Sequence, residues 1–192
     1  MIPRPDGHQK IPPHAKKAFE GELFDVYQWE QELFDGTKAT FEKLRRQDTV
    51  SVIATTTDRK ILLINDEQPG RDAVITFPGG RLDPGEDPET AAKRELREET
   101  GYEAKELVLW KSYQPVSKLD WAFYIFVARN AEKVTEPHLD AGERISMWEA
   151  DLEEVIEVMR QPHFQGKEIA LDLLEAKYDA ESKKKLEELL FG

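Results

Sequence analysis

The chain contains no cysteine among its 192 residues. That excludes a disulfide, a thiolate metal site and a thiol nucleophile, and it fits a reducing compartment, so a cytoplasmic location is expected. Long hydrophobic runs are missing too. The longest apolar stretch, Trp121 to Ala128, is too short to span a bilayer, and the N-terminus carries no apolar signal-peptide core. No membrane association is expected. Positive charge is scarce: 27 lysines and arginines face 39 aspartates and glutamates, for a net charge of −12. A general nucleic-acid surface is normally basic, so no nucleic-acid partner is expected. The sequence has neither an internal repeat nor a low-complexity segment.

What remains suits one domain with appendages: a hydrophobic fraction of 39% and four tryptophans are enough for a core. Residues 1–20, with Pro3, Pro5, Pro12 and Pro13 and no periodicity, are expected to be an irregular arm, mobile or bound to the surface. Residues 21–46 carry aromatic residues on either side of Asp35-Gly36, a turn signal, and predict an antiparallel hairpin over 22–44. Short strands are predicted over 49–56, 60–64, 73–77, 107–113, 121–128 and 144–148, with a long polar loop over 131–143. Helices are expected over 151–160, 163–178 and 180–190, and Lys183-Lys184-Lys185 reads as a solvated helix face. Strands around one embedded helix, closed by further helices, indicate a mixed α/β sandwich.

The densest stretch is residues 79–102. Gly79, Gly80, Pro84 and Gly85 mark an irregular loop. Asp87 followed by Pro88 looks like a helix N-cap and a first-turn proline, and Gly101 suits the C-terminal cap. In the helix between them, Ala91, Ala92 and Leu96 make a small apolar face. Glu95, Glu98 and Glu99 stand at i, i+3 and i+4, which turns three carboxylates to one side. Like charges at that spacing repel, and Glu98 and Glu99 sit at the negative end of the helix dipole. Hard divalent cations such as Mg²⁺ or Mn²⁺ would offset the repulsion. Taken alone, the same cluster also reads as a solvated acidic face with Arg94 and Arg97 pairing locally.

Gly80, five residues, Glu86, seven residues, then Arg94-Glu95-Leu96-x-Glu98-Glu99-x-Gly101 is the Nudix box, and the sequence resembles the Nudix hydrolase superfamily. The resemblance implies an α/β/α sandwich with a mixed sheet, here preceded by the hairpin, so that residues 47–192 would be the Nudix domain with its C-terminal helices. Trp29-x-x-x-Leu33-Phe34-Asp35-Gly36, followed by Phe41-Glu42 and arginine, is similar to the ADP-ribose pyrophosphatase branch. That branch implies a homodimer built in part by the N-terminal strands.

Nudix enzymes hydrolyse a nucleoside diphosphate linked to another group with the help of divalent metal. The resemblance makes Glu95, Glu99 and the Gly79 carbonyl the expected Mg²⁺ ligands, with Glu98 either a further ligand or acting through metal-bound water, Mn²⁺ the alternative ion and Arg94 orienting the carboxylates. Glu86 would brace the loop, and Gly80 and Gly101 would serve backbone shape. For the general base the branch points to Glu143, then Asp140, then Asp120. Arg46, Arg71 and Arg81 are the expected substrate arginines, and Trp29 or Tyr27 could stack on a base or pack in the protein. A nucleotide is thus the expected small-molecule partner, with ADP-ribose hydrolysed to AMP and ribose 5-phosphate as the leading reaction. Other nucleotide sugars, dinucleoside polyphosphates, nucleoside triphosphates and a non-catalytic nucleotide-binding role are the alternatives.

Overall fold

The computed structural model describes residues 2–192 and shows a mixed α/β sandwich. Two strands supply most of its centre, and their side-chain alternation explains the layering. Strand β4 (Thr49–Ala54) pairs in parallel with β9 (Phe123–Lys133), and β7 (Tyr102–Tyr113) pairs antiparallel with the other edge of β9. Val50, Val52, Ala54, Tyr124 and Phe126 point to one side, where helix α1 (Pro88–Thr100) lays Ala91, Ala92 and Leu96 against them. The intervening Ile53, Ile125 and Val127 point to the other side. There they meet Val155 and Ile156 of α2 (Leu152–Val158), Leu173 of α3 (Ala170–Tyr178), and Leu186 and Leu190 of α4 (Ala180–Phe191). A strand buried on both faces needs apolar residues at successive positions, which accounts for the run through residues 121–128. Among the described residues no helix is long and apolar enough to cross a membrane.

A second three-stranded sheet joins β5 (Ile61–Glu67) to β10 (Arg144–Ala150) on one edge and β6 (Val74–Thr76) on the other, both antiparallel. The third sheet lies N-terminal. Strands β2 (Asp25–Glu32) and β3 (Lys38–Arg45) form the hairpin across Asp35-Gly36, and β3 pairs in parallel with the two residues of β8 (Leu119–Asp120). Residues 16–20 are a strand rather than irregular chain: β1 (Lys16–Glu20) pairs antiparallel with β2. All five of its residues are exposed, so backbone hydrogen bonding at a sheet edge holds it, which a reading of apolar periodicity does not detect.

Three other expectations need correction. Strand β9 runs on to Lys133, into the stretch expected to be loop. Its partner β7 starts at Tyr102 and gives those polar residues backbone partners. Residues 163–166 are not helical; Phe164 is instead buried against Phe77, edge to face at 5.9 Å, and helix resumes through a 3-10 turn at Lys167–Ile169.

Helix α1 ends as its composition demands. Gly101 adopts φ +76°, and its N–H donates to the Arg97 carbonyl at 2.8 Å. Its own carbonyl accepts from Val134 and Thr135, and a Cβ at this position would lie 2.1 Å from the Thr135 oxygen. Both the left-handed backbone and the close approach exclude a side chain. Gly101→Ala is therefore expected to lower the unfolding free energy by about 1–3 kcal/mol, measured by urea denaturation. An unchanged midpoint would contradict this account of the turn.

Candidate active site

The site is assembled where α1 meets the loop that precedes it. The Asp87 side chain accepts the Glu89 N–H at 3.1 Å and starts the helix one residue ahead of Pro88. Once Ala91, Ala92 and Leu96 are buried, Glu95, Glu98 and Glu99 must emerge on the flank facing residues 78–84. That loop is tied to the central sheet. Val52 N–H donates to the Pro78 carbonyl at 2.7 Å, Val50 N–H to the Gly80 carbonyl at 2.9 Å, and Leu82 N–H to the Asp48 carbonyl at 2.9 Å. Gly80 lets the Glu95 carboxylate lie against the backbone, since a Cβ there would stand 2.4 Å from Glu95 Oε1.

Arg94 is the hub of the charges. Its Nε and Nη2 donate to the two Glu86 oxygens at 3.0 and 2.9 Å. Its Nη1 donates to Glu95 at 2.9 Å and to Glu98 at 3.1 Å, and Nη2 also reaches the Arg81 carbonyl at 3.0 Å. The Glu86 carboxyl is held below its ordinary range by Arg94, and it also accepts the Asp83 N–H at 2.9 Å. Glu86 thus braces the loop.

Glu99 is buried and accepts the Gly79 N–H at 2.8 Å. Burial pushes its carboxyl well above the ordinary range against that hydrogen bond, and the charges of Glu95, Glu143 and Asp66 push it further. Glu95 is raised as well, chiefly by burial, with Arg94 opposing. Glu143 stands on the segment before β10, where its N–H donates to the Asp140 carbonyl at 3.0 Å. Burial raises its carboxyl, helped by the charges of Asp140 and Asp66 and opposed by Arg81.

These groups share a cavity of about 880 Å³ whose walls include Arg46, Arg81, Glu95, Glu98, Glu99 and Glu143. The Arg46 guanidinium lies 4.9 Å from the Trp121 ring centroid and 5.9 Å from that of Phe24, and its Nε is buried without a hydrogen-bond partner. Burial and the charge of Arg81 both make the charged form of Arg46 costly. Neither arginine has an ion-pair partner among the described residues. A neighbouring cavity of about 940 Å³ on the outer flank of α1 differs. There Lys93 pairs with Glu89, Arg97 with Glu103 and Glu136 with Lys133, and no charge faces the space unpaired in the same way.

The expected site residues divide accordingly. Gly79, Arg81, Arg94, Glu95, Glu98, Glu99, Asp140, Glu143 and Arg46 come together around one space. Arg71 is not on the cavity lining; it is exposed and paired with Asp66, which is. Trp29 is not brought to the cavity: it is buried opposite Phe41, ring centroids 6.2 Å apart, with its Nε1 bonded to Gln31 at 3.2 Å. The cross-strand register of β2 and β3 puts both rings on the inner face. Tyr27 is engaged by Arg45, whose guanidinium lies 4.7 Å from its ring centroid. Asp120 lies outside the cavity and is consumed in ion pairs with Arg4 and Arg45, both at 2.8 Å.

Among the described residues no three acidic or histidine side chains are drawn together at metal-ligand spacing. Protein donors occupy the oxygens instead: Arg94 on Glu95 and Glu98, the Gly79 N–H on Glu99. Sequence reading missed Asp66. It stands on a cavity wall, with Oδ2 bonded to Arg71 and Gln68 and Oδ1 buried without a partner. The signal was present in β5, where the apolar run Ile61–Leu62–Leu63–Ile64 gives way to Asn65-Asp66-Glu67 on a continuing strand.

The model of the NUDIX domain matches residues 45–174. An ADP-ribose pyrophosphatase of Bacillus subtilis (strain 168) is 31% identical over 147 residues, 75% of this chain and 80% of that protein. A methanol dehydrogenase activator of Bacillus methanolicus is 29% identical over 150 residues, 77% of this chain and 81% of that one. A crystal structure of an ADP compounds hydrolase superposes with a TM-score of 0.71 at 22% identity, over 94% of this chain and 97% of that chain, which shows a common fold. The family match spans well over half of the molecule and contains every box residue described above, so this chain belongs to the NUDIX domain family, the Nudix hydrolases.

Proposed function

We propose that this protein is a Mg²⁺-dependent pyrophosphohydrolase that splits ADP-ribose into AMP and ribose 5-phosphate. One observation carries the reading. A single cavity holds the buried Glu99, the partly buried Glu95 and Glu143, and two arginines, Arg46 and Arg81, that lack carboxylate partners among the described residues. Glu99 and Glu143 have no cation partner among the described residues and call for one, and unpaired arginines call for an anion. A diphosphate bound through divalent metal meets both needs. The similarity to an ADP-ribose pyrophosphatase over three quarters of the chain supports the choice of substrate.

The donor chemistry fits a hard divalent cation, Mg²⁺ or Mn²⁺: every donor is oxygen, and the buried Glu99 carboxylate meets a backbone N–H but no cation. Glu95, Glu98, Glu99 and the Gly79 carbonyl would hold the ion, which when bound supplies Lewis acidity and charge neutralisation. Arg94 sets the carboxylates in place. Arg46 and Arg81 bind the phosphates. Glu143 takes a proton from the attacking water as its oxygen bonds to one phosphorus and the bridging P–O bond breaks. The departing phosphate carries away the bridging oxygen. Exposed Phe19, Leu23 and Leu44 on the N-terminal sheet favour a homodimer with that sheet at its interface.

Two outcomes are expected. The folded chain holds the Glu99 proton more tightly than the unfolded chain does, so ionising Glu99 costs stability as pH rises above the ordinary carboxylate range. Glu99→Gln keeps an acceptor for Gly79 and removes that cost. Without metal at pH 8 it should melt no lower than the native protein. It should lose the rise in Tm that Mg²⁺ confers on the native chain, and turn over about 100-fold more slowly or worse. Native turnover in Glu99→Gln would remove the metal assignment.

For Glu143 the active form is the ionised one, and its carboxyl is raised. The kcat/KM for AMP release should climb with pH through a midpoint above the ordinary glutamate value. Glu143→Gln should abolish that limb and lower kcat by about 100-fold to 10,000-fold. Persistence of the limb in the variant would assign the base elsewhere.

A further inference from the structure

We infer that Arg4 is a positioning residue for Arg46, keeping that arginine free for substrate by occupying the two carboxylates that would otherwise capture it. The inference rests on the reading of Arg46 as a phosphate ligand.

The geometry around Arg4 is dense. Its Nε and Nη2 fork onto the two oxygens of Asp48 at 2.7 and 2.8 Å, and Nη1 reaches Asp120 at 2.8 Å. The other Asp120 oxygen accepts from Arg45 Nε at 2.8 Å. Both acids are mostly buried, with side chains 15% and 12% exposed. Although burial pushes the Asp120 carboxyl up, Arg45 and Arg4 together hold it below its ordinary range. Two acids are therefore matched by two arginines, and Arg46, the third arginine of the neighbourhood, is left unpaired. Arg46, Asp48 and Asp120 already share the walls of a smaller cavity of about 440 Å³ behind the catalytic one.

The same contacts fix what Arg46 rests on. Trp121, the ring under its guanidinium, lies between Asp120 and Ala122. The Ala122 N–H donates to Asp48 Oδ1 at 2.7 Å, and the Arg46 N–H to the Asp120 carbonyl at 3.4 Å. Asp48 also receives the Leu82 N–H of the box loop on its carbonyl at 2.9 Å. Arg4 thus clamps residues 46–49 to residues 120–122 at the point from which Arg46 enters the site.

Arg4 is itself held in place. The Ile2 N–H donates to the Asp87 carboxylate at 3.4 Å, and the Ile2 side chain packs on the apolar cluster beneath α1. Gln114 donates to the Pro5 carbonyl at 3.1 Å, and the buried Lys43 amine to the Gln9 carbonyl. Ile2, Pro5 and Gln9 thus tie the segment to the folded domain on both sides of Arg4.

Removing the Arg4 charge leaves Asp48 with one backbone donor and no cation. Arg46 has no partner and lines the same small cavity as Asp48, so turning it to Asp48 relieves a buried charge while emptying the phosphate site. In Arg4→Gln the KM for ADP-ribose should rise about tenfold with kcat within about twofold, because the water and its base are untouched. Arg4→Lys should fall between, since it keeps the charge and loses the fork. The double variant Arg4→Gln/Asp48→Asn removes the acid that competes for Arg46 and should bring KM back to within about threefold of native.

A merely structural contact predicts the opposite, a double variant worse than either single change. Unchanged KM in Arg4→Gln, or no recovery in the double variant, overturns the inference. Native enzyme that fails to cleave ADP-ribose would sink the substrate reading alone. A crystal structure of the Arg4→Gln chain then decides the positioning role without turnover: Arg46 paired with Asp48 supports it, and Arg46 still seated on Trp121 overturns it.

Discussion

Repulsion among carboxylates governs this molecule. Glu95, Glu98 and Glu99 leave one flank of α1 together, and Glu99 leaves it into a buried place. A helix tolerates such a flank only if something positive answers it. Arg94 answers for Glu95, Glu98 and Glu86 with one planar guanidinium, which a lysine could not reproduce. A backbone N–H answers for Glu99, but burial still pushes its carboxyl well above the ordinary range, with Glu95, Glu143 and Asp66 adding to the push.

The rest of the fold holds that flank still. Alternation in β4 and β9 clamps α1 from one side, and the three C-terminal helices close the other side of the same strands. The box loop has no regular structure, yet three of its residues are paired to residues 48–52. Position in such a site comes from the sheet, and the loop transmits it. The arginines obey the same economy of charge from the other sign. In a chain with net charge −12, Arg46 and Arg81 both line the acidic cavity without a carboxylate partner among the described residues.

Legibility in the sequence followed the range of the interaction. Helix α1, with its caps, was readable to the residue because Asp87, Pro88 and Gly101 act within one turn of chain. Strand β1 was not, because nothing but an edge of β2 holds five exposed residues in line. The polar end of β9 was hidden for the same reason, its partner being the equally polar start of β7. The sequence leaves Trp29 open between stacking on a base and packing in the protein, because an aromatic residue carries no mark of whether it will face a ligand or another ring; here it packs on Phe41. Asp120 looked like a spare acid until Arg4 and Arg45, far off in sequence, took both its oxygens.

By itself the sequence determined the family, the helix that bears the acids, and the side to which those acids turn, since spacing along a helix and the chemistry of caps are local. Only the tertiary structure decided which charges are spent and which are free. Glu86 is spent on Arg94, Asp120 on two arginines and Arg71 on Asp66, while Arg46 and Arg81 are left to the cavity. Pairing of that kind joins residues up to 116 positions apart, and burial sets how strongly each charge needs its partner. Neither quantity exists until the chain is folded.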